Sequence, residues 1–408
     1  MRSLDGTPDG GGVRTRTDAH TAWRLAWLTE NYPPARGGMS QSCDRIVRGL
    51  RAAGVEVDLL HCAPRLPRWE EHRQVGGRYL ACPVEADPAH ALNRLWARLD
   101  REPGRYTHLV AFGGALPLLA APVYAAWMDR PLIVLLRGND LDAALFHPAR
   151  AQVLARALAA AALVGCVTRD QVRKTRALHP GLDARWVPNG IDLDDWTLHP
   201  FDHERARLWR TEVFPPGRLV IGLFGHLKAK KGLRLLLEAL RGSRQRERFH
   251  LLLVGELAPA DAHWIEQACG TLSLTVLPFL DRFELLPLYA ACDYVALPSF
   301  YDGMPNCLLE SLGLGLPLIA ARAGGMADLL EDGVQGLLFE PGDLQGARAA
   351  LARAAGLSPQ ERERMGGQGR ALAADRLGAE RETGAYLDLL AAAAARGPGA
   401  RTIDSQIA

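Results

Sequence analysis

Strand-like and helix-like segments alternate along nearly the whole chain, which predicts an α/β protein built on parallel sheets. Three observations carry this. Short apolar runs at 109–112, 131–136, 218–224 (RLVIGLF) and 250–254 have the length and unbroken hydrophobicity of strands buried on both faces. Segments of helical periodicity separate such runs and end at turn residues such as Gly54. At 408 residues the default is two domains, each with its own core.

Taken in order, residues 23–29 form the first strand and 30–38 a loop. A helix over 39–53 carries Ile46, Val47 and Leu50 on one face, and strand 55–61 follows. Next come a polar surface loop at 64–77, strand 79–84, helix 88–99 and strand 109–112, which ends in Gly113-Gly114. Helix 116–128, strand 131–136, helix 150–162 and strands 164–168 and 185–187 complete the first half. Residues 194–216 read as the linker. The second half opens with strand 218–224 and continues with helix 233–240, strand 250–254, helix 261–269, strand 274–279 and segment 281–291. After the apolar run 293–297 come a loop, a helix and a strand, then 336–339, two helices to about 376, and a last helix over 380–395. Residues 1–22 lack an apolar signal core and, with 397–408, read as disordered.

Composition excludes several classes. The formal net charge is +2, too near neutral for a general nucleic-acid binder. The first 200 residues hold 25 basic and 21 acidic side chains. That excess turns the first half toward an acidic surface such as anionic lipid, with a solvated surface as the plainer reading. No apolar run reaches the length of a membrane span. Seven cysteines without a CxxC pair argue against a zinc site or disulfide framework and for a reducing, cytoplasmic setting.

The chemistry concentrates in 297–328, which reads as strand end, loop, helix, strand and glycine turn. Pro298 stops the strand. The loop then holds one acid, Asp302, beside Gly303 and Met304. Pro305 suits a helix start, which needs no donor there. The following amides, on Asn306 and Cys307, are left unpaired and form an anion site aided by the helix dipole. Asn306, Glu310 and Gly313 then share one stripe at i, i+4 and i+7. A buried acid on that stripe needs a partner, and a sugar hydroxyl would serve.

Other strand-end loops offer candidates. Gly37-Gly38 opens a helix and lets an anion reach backbone amides, although a tight turn needs the same pair. Arg137-Gly138-Asn139-Asp140 follows a buried strand, and its Arg137 and Asp140 either contact a ligand or pair with each other. Asn189-Gly190 supplies the positive φ of a turn. Asp192-Leu193-Asp194 has the look of a metal-binding DxD, yet three acids in four residues suit a helix start better, so no metal site is assigned.

These motifs resemble the donor-site signature of retaining glycosyltransferases of the two-Rossmann (GT-B) type, family four. The family pattern P-S-x-x-E-G-x-P-x-x-x-x-E stands here as Pro298-Ser299, Asp302-Gly303-Met304-Pro305 and Glu310, with Asp302 in place of the usual Glu. G-R-L-x-x-x-K-G stands as Gly225-His226-Leu227, then Lys231-Gly232, with His226 where Arg is common. V-G-[DE]-G stands as Val254-Gly255-Glu256, and G-G-x-x-E as Gly324-Gly325, then Asp328. Pro188-Asn189-Gly190-Ile191-Asp192 matches the segment that closes the family's first domain.

The resemblance implies two Rossmann-like domains, 23–195 on the acceptor side and 196–376 for the donor, with a cleft between them. A helix at 377–395 would cross back onto the first domain, flanked by a leader at 1–22 and a tail at 396–408. It implies a nucleotide-diphosphate sugar as donor, an unidentified hydroxyl acceptor (glycan, lipid-linked saccharide or small molecule), retention at the anomeric carbon and no metal or other cofactor. Lys231 would neutralise the diphosphate, Asp302 hold a donor-sugar hydroxyl and Glu310 the ribose. Gly38, His226, Gly255, Glu256, Gly303, Met304, Pro305, Asn306, Cys307, Gly324 and Gly325 would line the donor site, residues 278–283 the base, and Gly37, Arg137, Asn139 and Asp140 the acceptor or donor. The enzyme would be cytoplasmic, with peripheral contact at the inner membrane face. Two rivals stand beside it: another GT-B activity such as a sugar-phosphate synthase or phosphorylase, and a nucleotide-sugar-binding protein with weakened catalysis, which His226, Asp302 and Asp328 would permit.

Overall fold

The structure, a computed structural model, describes residues 23–398 apart from 64, 65, 67, 85, 86 and 269. The expected leader 1–22, and the tail from 399, lie outside the described residues, as does Cys269 at the expected end of a helix.

Two sheets form. The first holds β1 (Arg24–Thr29), β2 (Glu56–Ala63), β3 (Glu70–Gln74), β4 (Gly77–Pro83), β5 (His108–Phe112), β6 (Leu132–Leu136), β7 (Leu163–Cys166) and β8 (Ala184–Trp186). Its order is β3-β4-β2-β1-β5-β6-β7-β8, and all neighbours are parallel except β3 with β4. The second holds β9 (Leu219–Phe224), β10 (Phe249–Val254), β11 (Leu274–Leu277), β12 (Tyr294–Leu297), β13 (Leu318–Ala321) and β14 (Gly336–Phe339). Its order, β11-β10-β9-β12-β13-β14, is fully parallel. That is the doubly wound arrangement, in which strand order reverses beside the first strand of each sheet.

Helices cover both faces of each sheet, because strands without polar alternation must be buried on both sides. On the first sheet, helices Pro88–Leu99, Ala115–Met128 and Pro148–Ala160 pack on one face. Gly38–Ala52 packs on the other beside the C-terminal helix Ala379–Arg396, through Ile46, Val47, Leu50, Tyr386, Leu389 and Leu390. The last helix therefore returns to the first sheet. Glu382 anchors it there, accepting from Arg45 Nε at 2.7 Å and Nη2 at 3.0 Å.

Most predicted elements form within a residue or two of their expected bounds. Four differ. The expected loop 64–77 contains the antiparallel edge strand β3, whose sequence EEHRQ is charged and mostly exposed, so no apolar pattern marks it. The expected linker contains helix Pro200–Leu208, with Pro at its first position. Helix Asn139–Leu145 follows Gly138 directly. Helix Arg169–Leu178 was not expected, although Thr168 and Gln171 form a capping box that the sequence displays.

Two turn readings also change. Asn189 and Gly190 do not adopt positive φ. Gly190 is small because a Cβ there would press on Glu382 and the Leu377 carbonyl. Asp192 does not start a helix; its carboxylate accepts from the Asp194 amide at 3.1 Å and the Asp195 amide at 3.5 Å, closing a turn.

Candidate functional site

A cleft of about 900 Å³ opens between the carboxyl edges of the two sheets. Its walls are the loops at both reversals of strand order: 30–37 after β1, 225–232 after β9 and 298–305 after β12. Doubly wound sheets bind ligands at such points.

The second-half wall is stitched by backbone. The Phe300 amide donates to Lys230 O at 2.9 Å, Gly325 to Gly303 O at 2.6 Å, and Leu227 to Glu256 O at 3.0 Å. Glycine makes this possible. A Cβ at Gly232 would collide with the Pro298 carbonyl, one at Gly255 with the Gly225 carbonyl and one at Gly324 with the Asp302 carbonyl. All three have positive φ. Gly255, Gly324 and Gly325 are thus backbone contacts behind the wall, not part of the cleft surface. Gly303 likewise lies against the Arg137 carbonyl and Gly138.

On this scaffold the Lys231 ammonium donates to the Asp302 carboxylate, and Lys230 stands 3.7 Å from the same acid. Burial opposes the charge on Lys231, but Asp302 more than offsets it and raises the pKa. Burial lowers that of Lys230. Met304, Pro305, Asn306 and Cys307 also line the cleft. The helix Asn306–Gly313 starts there, and the Asn306 and Cys307 amides donate no hydrogen bond among the described residues. His226 lines the cleft as well, with its Nδ1 3.1 Å from a carboxylate oxygen of Glu256.

Glu310 faces the cleft from the same helix and is 9 % exposed. The Tyr289 hydroxyl donates to it at 2.6 Å. Burial lifts the Glu310 pKa to about 7, opposed by that hydrogen bond and by Arg45. Tyr289 in turn stacks on Phe224 at 3.9 Å and meets Trp196 edge-on at 5.9 Å. Phe224 and Trp196 form an apolar wall beside the acid. Phe279, Leu280, Asp281 and Arg282 line the neighbouring stretch, where the expected base contacts fall.

The first-half wall meets the second through side chains. Asn306 donates to Gln41 Oε1 at 2.8 Å and accepts from Ser42 Oγ at 3.3 Å. Gly37 and Gly38 line the cleft opposite His226 and Asn306. Arg137 reaches the cleft, but the residue is 5 % exposed and its guanidinium donates to the Asn189 side-chain oxygen. Asn189 then donates to Met304 O at 2.7 Å, so these two residues tie the first sheet to the Asp302 loop.

Asp140 does not pair with the Arg137 guanidinium. It accepts from the backbone amides of Arg137 at 2.8 Å and Gly114 at 3.3 Å and is not a lining residue. Asn139 is the first residue of its helix. Asp328 turns away toward the first half and accepts from the Arg169 amide at 2.8 Å.

Sequence reasoning missed Tyr289, Trp196 and Phe224 at the site and took Asn189 for a plain turn residue. Nothing local marks them, since their partners are distant in the chain. Arg36 was legible as a charged side chain in a Pro/Gly loop; it lies over the Phe279 ring at 4.9 Å. Among the described residues no cluster of His, Cys, Asp and Glu could hold a metal. No helix among them is long and apolar enough to cross a membrane.

Two family models match the chain: "Glycosyltransferase Family 4" over residues 36–195 and "Glycosyl transferases group 1" over residues 218–356. The chain is 31% identical over 195 residues to a glycogen synthase of Mycobacterium tuberculosis, covering 46% of this chain and 44% of that one. It is 33% identical over 220 residues to a D-inositol 3-phosphate glycosyltransferase of Geodermatophilus obscurus, covering 49% and 47%. The matches thus span about half the length of these relatives. Among solved structures, a sucrose-phosphate synthase from Thermosynechococcus elongatus aligns with a TM-score of 0.77 at 19% identity, covering 91% of this chain and all of that one. Anabaena HepE in complex with UDP and glucose aligns at 0.72 and 18% identity, covering 90% and 99%. At such identities the structures show a shared fold.

Proposed function

The chain belongs to the group 1, family 4 glycosyltransferases of the GT-B fold, and from that premise we propose that it transfers a sugar from a nucleotide-diphosphate sugar to a hydroxyl acceptor with retention at the anomeric carbon. One observation supports this most. Lys231, Asp302, Glu310 and the two open amides of Asn306 and Cys307 stand together at the strand-order reversal of the second sheet.

In this reading the diphosphate lies over the open amides and the Lys231 ammonium, which stabilise the negative charge that grows on the leaving phosphate. Asp302 holds Lys231 in place and accepts from a donor-sugar hydroxyl. Glu310 accepts from the ribose hydroxyls with its oxygen that Tyr289 does not occupy. The acceptor oxygen bonds to the anomeric carbon as the carbon–phosphate-oxygen bond breaks. The acceptor's proton passes to a leaving phosphate oxygen, so no protein base takes part. Phe279 to Arg282 flank the base.

A second reading, binding without efficient turnover, draws on two pairings. Asp302 is shorter than the family's Glu and is engaged with Lys231, and His226, which stands where Arg is common in the family pattern, is engaged with Glu256. His lacks the fixed charge and bidentate fork of Arg.

The test begins with thermal stabilisation by UDP, GDP, ADP and TDP. UDP comes first, because HepE was solved with it. A ligand at 100 times its Kd adds roughly 2.7 kcal/mol. The responding nucleotide's sugars are then offered with acceptors, and the product's anomeric coupling is read by NMR. A product of inverted configuration would overturn retention. Nucleotide-sugar binding with no product from any acceptor would favour the second reading.

A further inference from the structure

We propose that His226 holds the donor's diphosphate as an imidazolium, so that binding a nucleotide sugar takes up a proton at its Nε2. This role rests on the transfer reading, which places a diphosphate in the cleft. It goes beyond that reading by making donor affinity depend on pH through one side chain.

The imidazole is held at one nitrogen and open at the other. Its Nδ1 lies 3.1 Å from a carboxylate oxygen of Glu256. The main chain fixes the pair, because the Leu227 amide donates to Glu256 O at 3.0 Å and the Lys228 amide to His226 O at 2.9 Å. A carboxylate only accepts, so Nδ1 carries a hydrogen whether the ring is neutral or charged. Nε2 makes no hydrogen bond among the described residues. It faces Gly37 across the cleft, where a Cβ would come 3.4 Å from it. Neutral, the ring presents a lone pair to the cleft; protonated, it presents an N–H donor and a positive charge.

The surroundings select an anion. Lys228, Lys230 and Lys231 line the cleft from the same loop, and Asp302 is the one carboxylate within ion-pair distance of them among the described residues. The first-half lining brings Arg36 and contains no acid. Asp281 caps its own helix through the Glu284 amide at 3.1 Å, and Glu310 is bonded to Tyr289. No carboxylate therefore answers Nε2. A lone pair there would repel a phosphate oxygen, whereas an N–H makes a charge-assisted bond to it.

Glu256 favours the proton and the lysines oppose it; an arriving diphosphate sides with Glu256. The complex then holds more protons than the free protein. Affinity therefore falls as pH rises on the alkaline side of neutrality. An arginine at this position would carry a fixed charge and show no such dependence.

The experiment is titration calorimetry of the full chain with UDP-glucose, or the glucose conjugate of whichever nucleotide responds. It runs from about pH 7.5 to 9, in two buffers of different ionisation heat. A diphosphate esterified at both ends has no group that titrates in this range. Glu310, with a pKa of about 7, is largely ionised across it. That leaves the slope to His226 and to Lys230, whose pKa burial lowers, and the variants separate these two. Wild-type affinity should fall by up to about tenfold per pH unit, with net proton uptake on binding. His226→Gln should bind about tenfold more weakly near neutrality, with neither slope nor uptake. His226→Arg should also lose both, and at the alkaline end should bind at least about tenfold more tightly than wild type. Glu256→Gln should move the fall to lower pH. Melting temperatures check that each variant folds, and the two variants at position 226 decide independently. A flat wild-type profile, or a wild-type slope kept by either of them, would overturn the proposal. No binding of any nucleotide sugar by the wild type would overturn the transfer reading itself, and this role with it.

Discussion

The two walls of the cleft are built differently. In the second half, glycines sit where one backbone rests on another: Gly232 on the Pro298 carbonyl, Gly255 on Gly225, Gly324 on Asp302. In the first half, the paired glycines face only side chains of the opposite wall. A Cβ on Gly37 would come 3.4 Å from His226 Nε2, and one on Gly38 would come 3.7 Å from the Asn306 amide. The second wall is therefore locked by its own main chain. The first wall takes its position from side-chain contacts, such as Asn306 with Gln41 and Ser42, which can break and reform as the halves move. A rigid wall suits the part of a ligand that never varies, the nucleotide diphosphate. An adjustable wall suits an acceptor that must enter and leave.

The largest effect should come from disturbing the locked wall. Gly324→Ala places a Cβ into the Asp302 carbonyl at positive φ, and should cost about 3 kcal/mol or more in urea unfolding. If stability stays at the wild-type level, the wall is not locked. Next is charge on that wall. Lys231→Ala should weaken binding of the responding nucleoside diphosphate by roughly a hundredfold in calorimetry, a charge-assisted hydrogen bond being worth about 2–3 kcal/mol. Unchanged affinity would remove Lys231 from the diphosphate.

A smaller, pH-dependent effect follows from Glu310. In the proposed reading Glu310 accepts from the ribose hydroxyls as the ionised acid, and burial lifts its pKa in the free protein to about 7. Affinity for the intact nucleotide sugar should fall by up to about tenfold per pH unit below 7, and Glu310→Gln should abolish that slope. Stability runs the other way. The folded pKa lies above the ordinary value of 4.5, so the folded protein binds more protons between the two. Wild-type stability relative to Glu310→Gln should therefore be greatest below about pH 4.5 and fall as pH rises toward 7. The least effect belongs to the adjustable wall. Gly38→Ala adds a methyl at ordinary contact distance of Asn306 without positive φ, and should shift stability by under about 0.5 kcal/mol. A cost comparable to that at Gly324 would erase the contrast between the walls.

The difference between the walls also explains what could be read in advance. The locked wall was legible because its parts are contiguous: Asp302, the helix start at Pro305 to Cys307 and Glu310 fall within nine residues. Helix periodicity alone put Asn306 and Glu310 on one stripe, and both line the cleft. The family pattern added Lys231. The adjustable wall was legible only as a location. Arg137 was expected to contact a ligand or to pair with Asp140; it lines the cleft, and its guanidinium donates to Asn189, which donates in turn to Met304. Asp140 was expected near ligand or arginine, and it organises backbone amides instead.

By itself the sequence determined the α/β class, the alternation that makes both sheets parallel apart from the edge strand β3, and the chemical content of the Asp302–Glu310 segment. These depend on local periodicity and on residues a turn or two apart, which the chain's geometry makes neighbours whatever the rest does. Only the tertiary structure decided that Lys231 is held by Asp302, that Tyr289 is the partner of Glu310, and that Asn189 joins the two halves. Those pairings span from 21 to 115 residues of chain. Each exists because packing two sheets edge toward edge removes water from groups that must then find one another, and no local pattern records which group will be across the gap.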